Sequence, residues 1–136
     1  MTLAPLIAAS PVIQAHVLAA ILALFSGLGV LLIKKGTPAH VVLGRGFVAL
    51  MLVAAISSFW ITGLRPGHFS WIHTLSVVTL VTIPLAVWRI RRGAWQAHAF
   101  TMIGNFVGLL VAGLFALMPE RLMGQVFLGG ATMIMP

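Results

Sequence analysis

The chain has 136 residues, 61% of them hydrophobic and 7% charged, with a net charge of +7 and a mean hydropathy of +1.16. Eight basic residues and one acid cannot cover a water-soluble surface, and the absence of cysteine excludes disulfides, zinc–thiolate sites and iron–sulfur clusters. The positive charge is not a nucleic-acid signal, because the basic residues fall almost entirely in short turns between apolar runs.

Residues 1–11 carry no Lys or Arg and lead into an apolar run too long for a signal-peptide core, so no cleaved signal is expected. Spanning a hydrocarbon core of about 30 Å takes roughly 20 apolar residues in a helix. The first such stretch is 12–33, ended by Lys34-Lys35-Gly36-Thr37-Pro38, and the second is 39–61, ended by Thr62-Gly63-Leu64-Arg65-Pro66-Gly67. The third, 70–88, stops at the turn from Arg89 to Gly93, and the fourth, 97–118, stops at Pro119. Short connections make successive helices antiparallel neighbours. The expected fold is all-α, a single membrane domain over residues 1–136 built as a four-transmembrane-helix bundle. Its tail, 119–136, is apolar but too short to cross, and is expected in the interface or packed back on the bundle.

Lys34, Lys35, Arg89, Arg91 and Arg92 flank the first and third turns, against Arg65 and Arg121 on the other side. That excess puts both termini outside and suits the inner (cytoplasmic) membrane of a bacterium. Trp60 and Trp71 flank the outer turn and Trp88 and Trp95 the second inner turn, as interfacial anchors do.

The sequence also repeats. His16 is followed by Lys34-Lys35-Gly36 at the offsets at which His73 is followed by Arg91-Arg92-Gly93, 57 residues later. Each basic-Gly turn is followed by another histidine, His40 and His98, though the register slips there by one residue. Two helical hairpins repeated in one orientation pack about a pseudo-twofold axis along the membrane normal. Such an axis pairs His16 with His73 near the outer face and His40 with His98 near the inner face.

Two readings of these histidines stand side by side. A histidine near a helix end is tolerated in the headgroup region, where it anchors or bonds a carbonyl. Histidines facing one another across a four-helix bundle also hold b-type haem, one imidazole on each side of the iron. The latter requires a neutral imidazole whose second nitrogen has an acceptor. Ala20, Ala23 and Gly27 after His16, and Gly44 after His40, leave room for a flat cofactor or simply allow close packing, as does Gly104-xxx-Gly108. Arg45 with Lys34 or Lys35 inside, and Arg65 with His68 outside, are candidate partners for haem propionates; Arg45 equally suits inner-leaflet phosphates.

Lys35-Gly36-Thr37-Pro38-Ala39-His40, Gly44-Arg45, Phe69-Ser70-Trp71-Ile72-His73 and Pro84-Leu85-Ala86 together resemble a family of small bacterial four-helix membrane proteins known as domain of unknown function 2306. That resemblance covers most of the chain and implies topology without an activity. A weaker, architectural resemblance is to the cytochrome b561 group, whose four-helix core takes the axial histidines of one haem from its first and third helices and those of the other from its second and fourth. It implies His16 with His73 and His40 with His98 as ligands of one or two haem b groups.

Two functions follow as expectations: transmembrane electron transfer through bis-histidine haem, or a cofactor-free accessory subunit of a larger respiratory or photosynthetic complex. Beyond the lipid bilayer, the expected partners are other membrane subunits or a quinone. A proton-coupled transporter is disfavoured because the only acid, Glu120, lies at the outer boundary. No hydrolase or transferase constellation is present, since no span carries an acid to orient a histidine base. Asn105 reads as interhelical glue, and Ser57, Ser58, Thr79 and Thr82 as hydroxyls satisfied by carbonyls one turn back.

Overall fold

The computed structural model describes residues 3–61, 71–118 and 122–128. Its elements in chain order are α1 (Ala4–Ile7), α2 (Pro11–Leu32), α3 (Pro38–Ser58), α4 (Trp71–Arg91), α5 (Trp95–Ala116) and α6 (Leu122–Leu128). Four helices, α2 to α5, are long and apolar enough to cross a membrane. A spanning segment must satisfy its main chain internally, which a helix does and an open strand does not.

Local chemistry sets the helix ends. Pro11 and Pro38 stand in the first turns of α2 and α3, where a missing N–H costs nothing. The Thr37 hydroxyl accepts from the His40 N–H at 3.3 Å and donates to the Lys34 carbonyl at 2.8 Å, which caps α3. Lys35 folds back on the end of α2, its Nζ 2.8 Å from the Val30 carbonyl and 2.7 Å from that of Leu31. A cation there satisfies carbonyls left without helical donors. Gly36 and Gly93 turn the chain with φ of 80° and 77°, a left-handed conformation that favours glycine. They are 57 residues apart, as are the first residues of α3 and α5, so the repeat is present in the backbone.

The helices form a ring in which α2 packs on α3, α3 on α4, α4 on α5, and α5 on α2. Among the described residues α2 makes no close backbone approach to α4, nor α3 to α5, so these pairs lie across the bundle diagonals. At the end opposite the two glycine turns, α6 packs against α1 and α5. Gly124 permits that seat, because a Cβ there would collide with the Met118 carbonyl.

The centre is filled from all four spans by Ala23, Phe47, Met51, Ile83 and Phe106. The Phe47 and Phe106 rings lie 6.3 Å apart and tilted by 54°, a favourable aromatic geometry. Gly27 provides their seat: a Cβ there would stand 2.6 Å from Phe106 Cδ2 and 2.8 Å from Phe47 Cε2. The small stripe on α2 therefore accommodates side chains at this level. By contrast Gly104 and Gly108 have no neighbour within 4 Å of where a Cβ would stand, and Gly104 faces outward.

Gly27→Ala is expected to destabilise the detergent-solubilised protein by about 1–3 kcal/mol through overpacking, while Gly104→Ala should be neutral or slightly stabilising. Thermal melting of both variants checks the contrast, and equal melting temperatures would show that the phenylalanine seat is not tight.

Candidate functional site

Ser57, Ser58 and Phe59, at the end of α3, gather the polar side chains at the end of the bundle opposite the two glycine turns. His16 of α2 places Nδ1 2.9 Å from Ser57 Oγ. The Ser57 hydroxyl has carbonyl acceptors at Val53 (2.7 Å) and Ala54 (3.1 Å). The hydroxyl has one proton, and when it goes to a carbonyl of its own helix His16 Nδ1 is the donor and Nε2 carries the lone pair. Next along the chain, Ser58 donates to the Ala55 carbonyl at 2.7 Å and meets the Ser76 hydroxyl of α4 at 2.7 Å. His73, one turn before Ser76, is buried with its ring 5.9 Å from that of Phe59. His16 and His73 thus approach the same turn of α3 from its two neighbouring helices.

Nearer the basic turns, the seam between α4 and α5 is polar. His98 Nδ1 lies 2.9 Å from the Ala86 carbonyl, an acceptor only, so Nδ1 is again the donor and Nε2 the lone pair. Asn105 is buried and donates through Nδ2 to Thr82 Oγ1 and to the Thr101 carbonyl, each at 2.9 Å. Thr82 donates to the Val78 carbonyl at 2.7 Å. Arg89 donates to Thr101 Oγ1 at 2.6 Å, and that hydroxyl donates to the Ala97 carbonyl at 2.7 Å. Asn105 thus ties helix to helix. Ala86 stands thirteen residues beyond His73 on α4, which separates the two polar layers by about 20 Å.

His40 has a different environment from its repeat mate. Its Nδ1 is buried and has no hydrogen-bond partner. The one-residue slip in the repeat turns it by about 100° relative to His98, and the position 57 residues before Ala86 is Gly29, against which Leu43 packs. Arg45 is exposed. It precedes the buried Phe47 by two residues, about 200° around the helix, and so lies on the outer surface of α3. Arg65 and His68 lie outside the described residues, as do Glu120 and Arg121. No group of three or more His, Cys, Asp or Glu able to hold a metal ion occurs among the described residues.

Sequence reasoning treated Ser57 and Ser58 only as hydroxyls turned back on their own helix, and assigned no role to Ser76, Phe59 or Thr101. The available signal was positional: with a short turn between α2 and α3, the residues opposite His16 are those closing α3.

The family described as Predicted membrane protein (DUF2306) matches residues 13–134, nearly the whole chain. The chain belongs to that family. DUF2306 membership and the four apolar helices agree on a multi-pass membrane protein in contact with the bilayer. No curated protein and no solved structure matches the chain.

The Thr82–Asn105 contact should carry measurable coupling. In a double-mutant cycle of Thr82→Val and Asn105→Leu, each single variant is expected to melt lower and the pair to couple by about 0.6 kcal/mol, in the range of intramembrane hydrogen bonds. A coupling indistinguishable from zero would remove this bond as a determinant of α4–α5 pairing.

Proposed function

We propose that this protein is a membrane-embedded electron carrier that holds b-type haem between histidines of diagonally opposed helices, His16 with His73 first and His40 with His98 second. The observation that carries this reading is the anchoring of His16 and His98. Each Nδ1 has a fixed partner: His98 donates to the Ala86 carbonyl and leaves Nε2 as the lone pair, and His16 does the same when Ser57 keeps its bond to its own helix, the tautomer an iron ligand needs. Haem iron ligated by two imidazoles would supply one-electron exchange. The chain's part would be to hold neutral imidazoles, to keep water from them with Phe59 and the apolar spans, and to separate the layers with the Phe47–Phe106 centre.

The donor set fits unequally. His16 has its second nitrogen satisfied, and His73 is buried at the same turn of α3. His40 would need an acceptor for Nδ1 that it lacks, so the pair of His16 and His73 is the better candidate if one haem is bound. Arg45, on the outer surface of α3, suits lipid phosphate better than a propionate. An inner bacterial membrane, with a quinone or a neighbouring subunit as electron partner, completes this reading.

A second reading is favoured by the filled centre. Phe47, Met51, Ile83 and Phe106 close the middle of the bundle, while Phe100 is 83% exposed on the helix that also carries the open Gly104 and Gly108. A cofactor-free accessory subunit, presenting α5 to another membrane protein, would have these features.

The test is a reduced-minus-oxidised visible spectrum and pyridine haemochrome assay on protein purified from haem-replete cells. The haem reading expects a b-type signal that His16→Ala or His73→Ala removes in full or by one haem equivalent. A colourless, folded wild type would overturn it and leave the accessory reading.

A further inference from the structure

Outside both polar layers, a shallow groove of about 280 Å³ runs along the lipid-facing junction of α3 and α4. Val48 and Leu52 form its α3 side, and Val87 with the Pro84 ring its α4 side. Its basic end is different, lined by Trp88 and by Arg91, the last residue of α4. Arg45 extends the α3 side, because residues 45, 48 and 52 share one stripe at helical spacing. Cβ atoms tilt towards a helix N-terminus, which for α3 is the basic end, so Arg45 is directed towards Arg91's side of the membrane. Gly44 and Gly46 flank it with nothing within 4 Å of where their Cβ atoms would stand, which leaves the helix surface beside the guanidinium open.

Neither arginine has a carboxylate to pair with among the described residues, and the chain's one acid is Glu120, outside them. Arg45 is seven residues inside α3, about 10 Å from its start, and an arginine at that depth extends its guanidinium to the headgroup level, where phosphate is an available partner. The adjoining cations are already engaged: Arg89 donates to Thr101, and Arg92 lies 4.9 Å from the centre of the Trp88 ring.

We propose that the α3–α4 groove is a binding site for an anionic phospholipid, its phosphate held by Arg45 and Arg91 and one acyl chain lying along Val48, Leu52 and Val87. Guanidinium groups match phosphate oxygens in a bidentate fashion, and basic pockets between spans on the positive side of a membrane protein select anionic headgroups. Trp88 sits at the level of the glycerol, where indole rings anchor. This site is independent of the histidine layers.

The experiment is native mass spectrometry of the full chain from mild detergent, with quantification of retained phosphatidylglycerol and phosphatidylcholine. Melting is then followed on addition of either lipid or of glycerol phosphate. Phosphatidylglycerol should be retained selectively and raise the melting temperature, with retention falling roughly fivefold for each of Arg45→Gln and Arg91→Gln. Val48→Trp, which fills the groove and keeps both charges, should also lose the lipid, and Lys34→Gln should not. Equal retention of phosphatidylcholine, an equal effect of glycerol phosphate, or undiminished retention by Val48→Trp would each overturn the proposal. Val48→Trp decides the matter if the arginine variants do not fold.

Discussion

A hydrocarbon environment offers no partner to a stray hydrogen-bonding group, and the rest of this structure depends on that constraint. For the main chain it dictates four helices. For the side chains it dictates that each hydroxyl or amide be satisfied within the protein, and most do so first on their own helix. Ser57, Ser58, Thr82 and Thr101 all return a bond to a carbonyl three or four residues earlier. Each hydroxyl also meets a polar group of the next helix, and this second contact selects neighbours. Apolar contact alone discriminates poorly in a membrane, because lipid tails are as apolar as leucine. The last turn of α3 binds α2 through Ser57 and α4 through Ser58, while α4 binds α5 through Thr82 and Arg89.

Between these polar layers the bundle relies on shape. Two phenylalanines enter the centre from α3 and α5, and they fit because α2 presents Ala23 and Gly27 at that level. The result is a filled middle between the layer of His16 and His73 and that of His98, with the buried Thr82–Asn105 pair on the α4–α5 seam at the same level. A filled middle is compatible with an electron carrier and with a passive subunit alike, and the anchoring of the histidines is what favours the carrier.

The spans, their turns and the repeat were legible in the sequence because each rests on composition or on local backbone chemistry. A run of apolar residues has one solution in a bilayer, and a glycine after two basic residues signals a left-handed turn, as Gly36 and Gly93 adopt. Side-chain partners were not legible to the same degree, because they depend on helix rotation. A slip of one residue is invisible in hydropathy, yet it leaves His40 Nδ1 without a partner while His98 reaches the Ala86 carbonyl. Small residues were ambiguous for a similar reason: Gly27 and Gly104 look alike in sequence, but only Gly27 is packed against rings. Arg45 acquires a direction only once Phe47 is known to face the core.

Charge imposes the remaining asymmetry. Six of the eight basic residues belong to the end with the two tight turns or point towards it, and those whose contacts are resolved are satisfied without carboxylates. Lys35 bonds helix-end carbonyls, Arg89 a hydroxyl, and Arg92 lies over an indole. Dipoles and π-faces satisfy donors but cancel no charge, so this end keeps its positive potential undiminished. An ordinary soluble domain would neutralise it with acids of its own, whereas a membrane protein can leave that to the lipid. The scarcity of Asp and Glu then has a structural consequence: no carboxylate offsets the basic rim among the described residues, and an anionic leaflet is an environment that suits it.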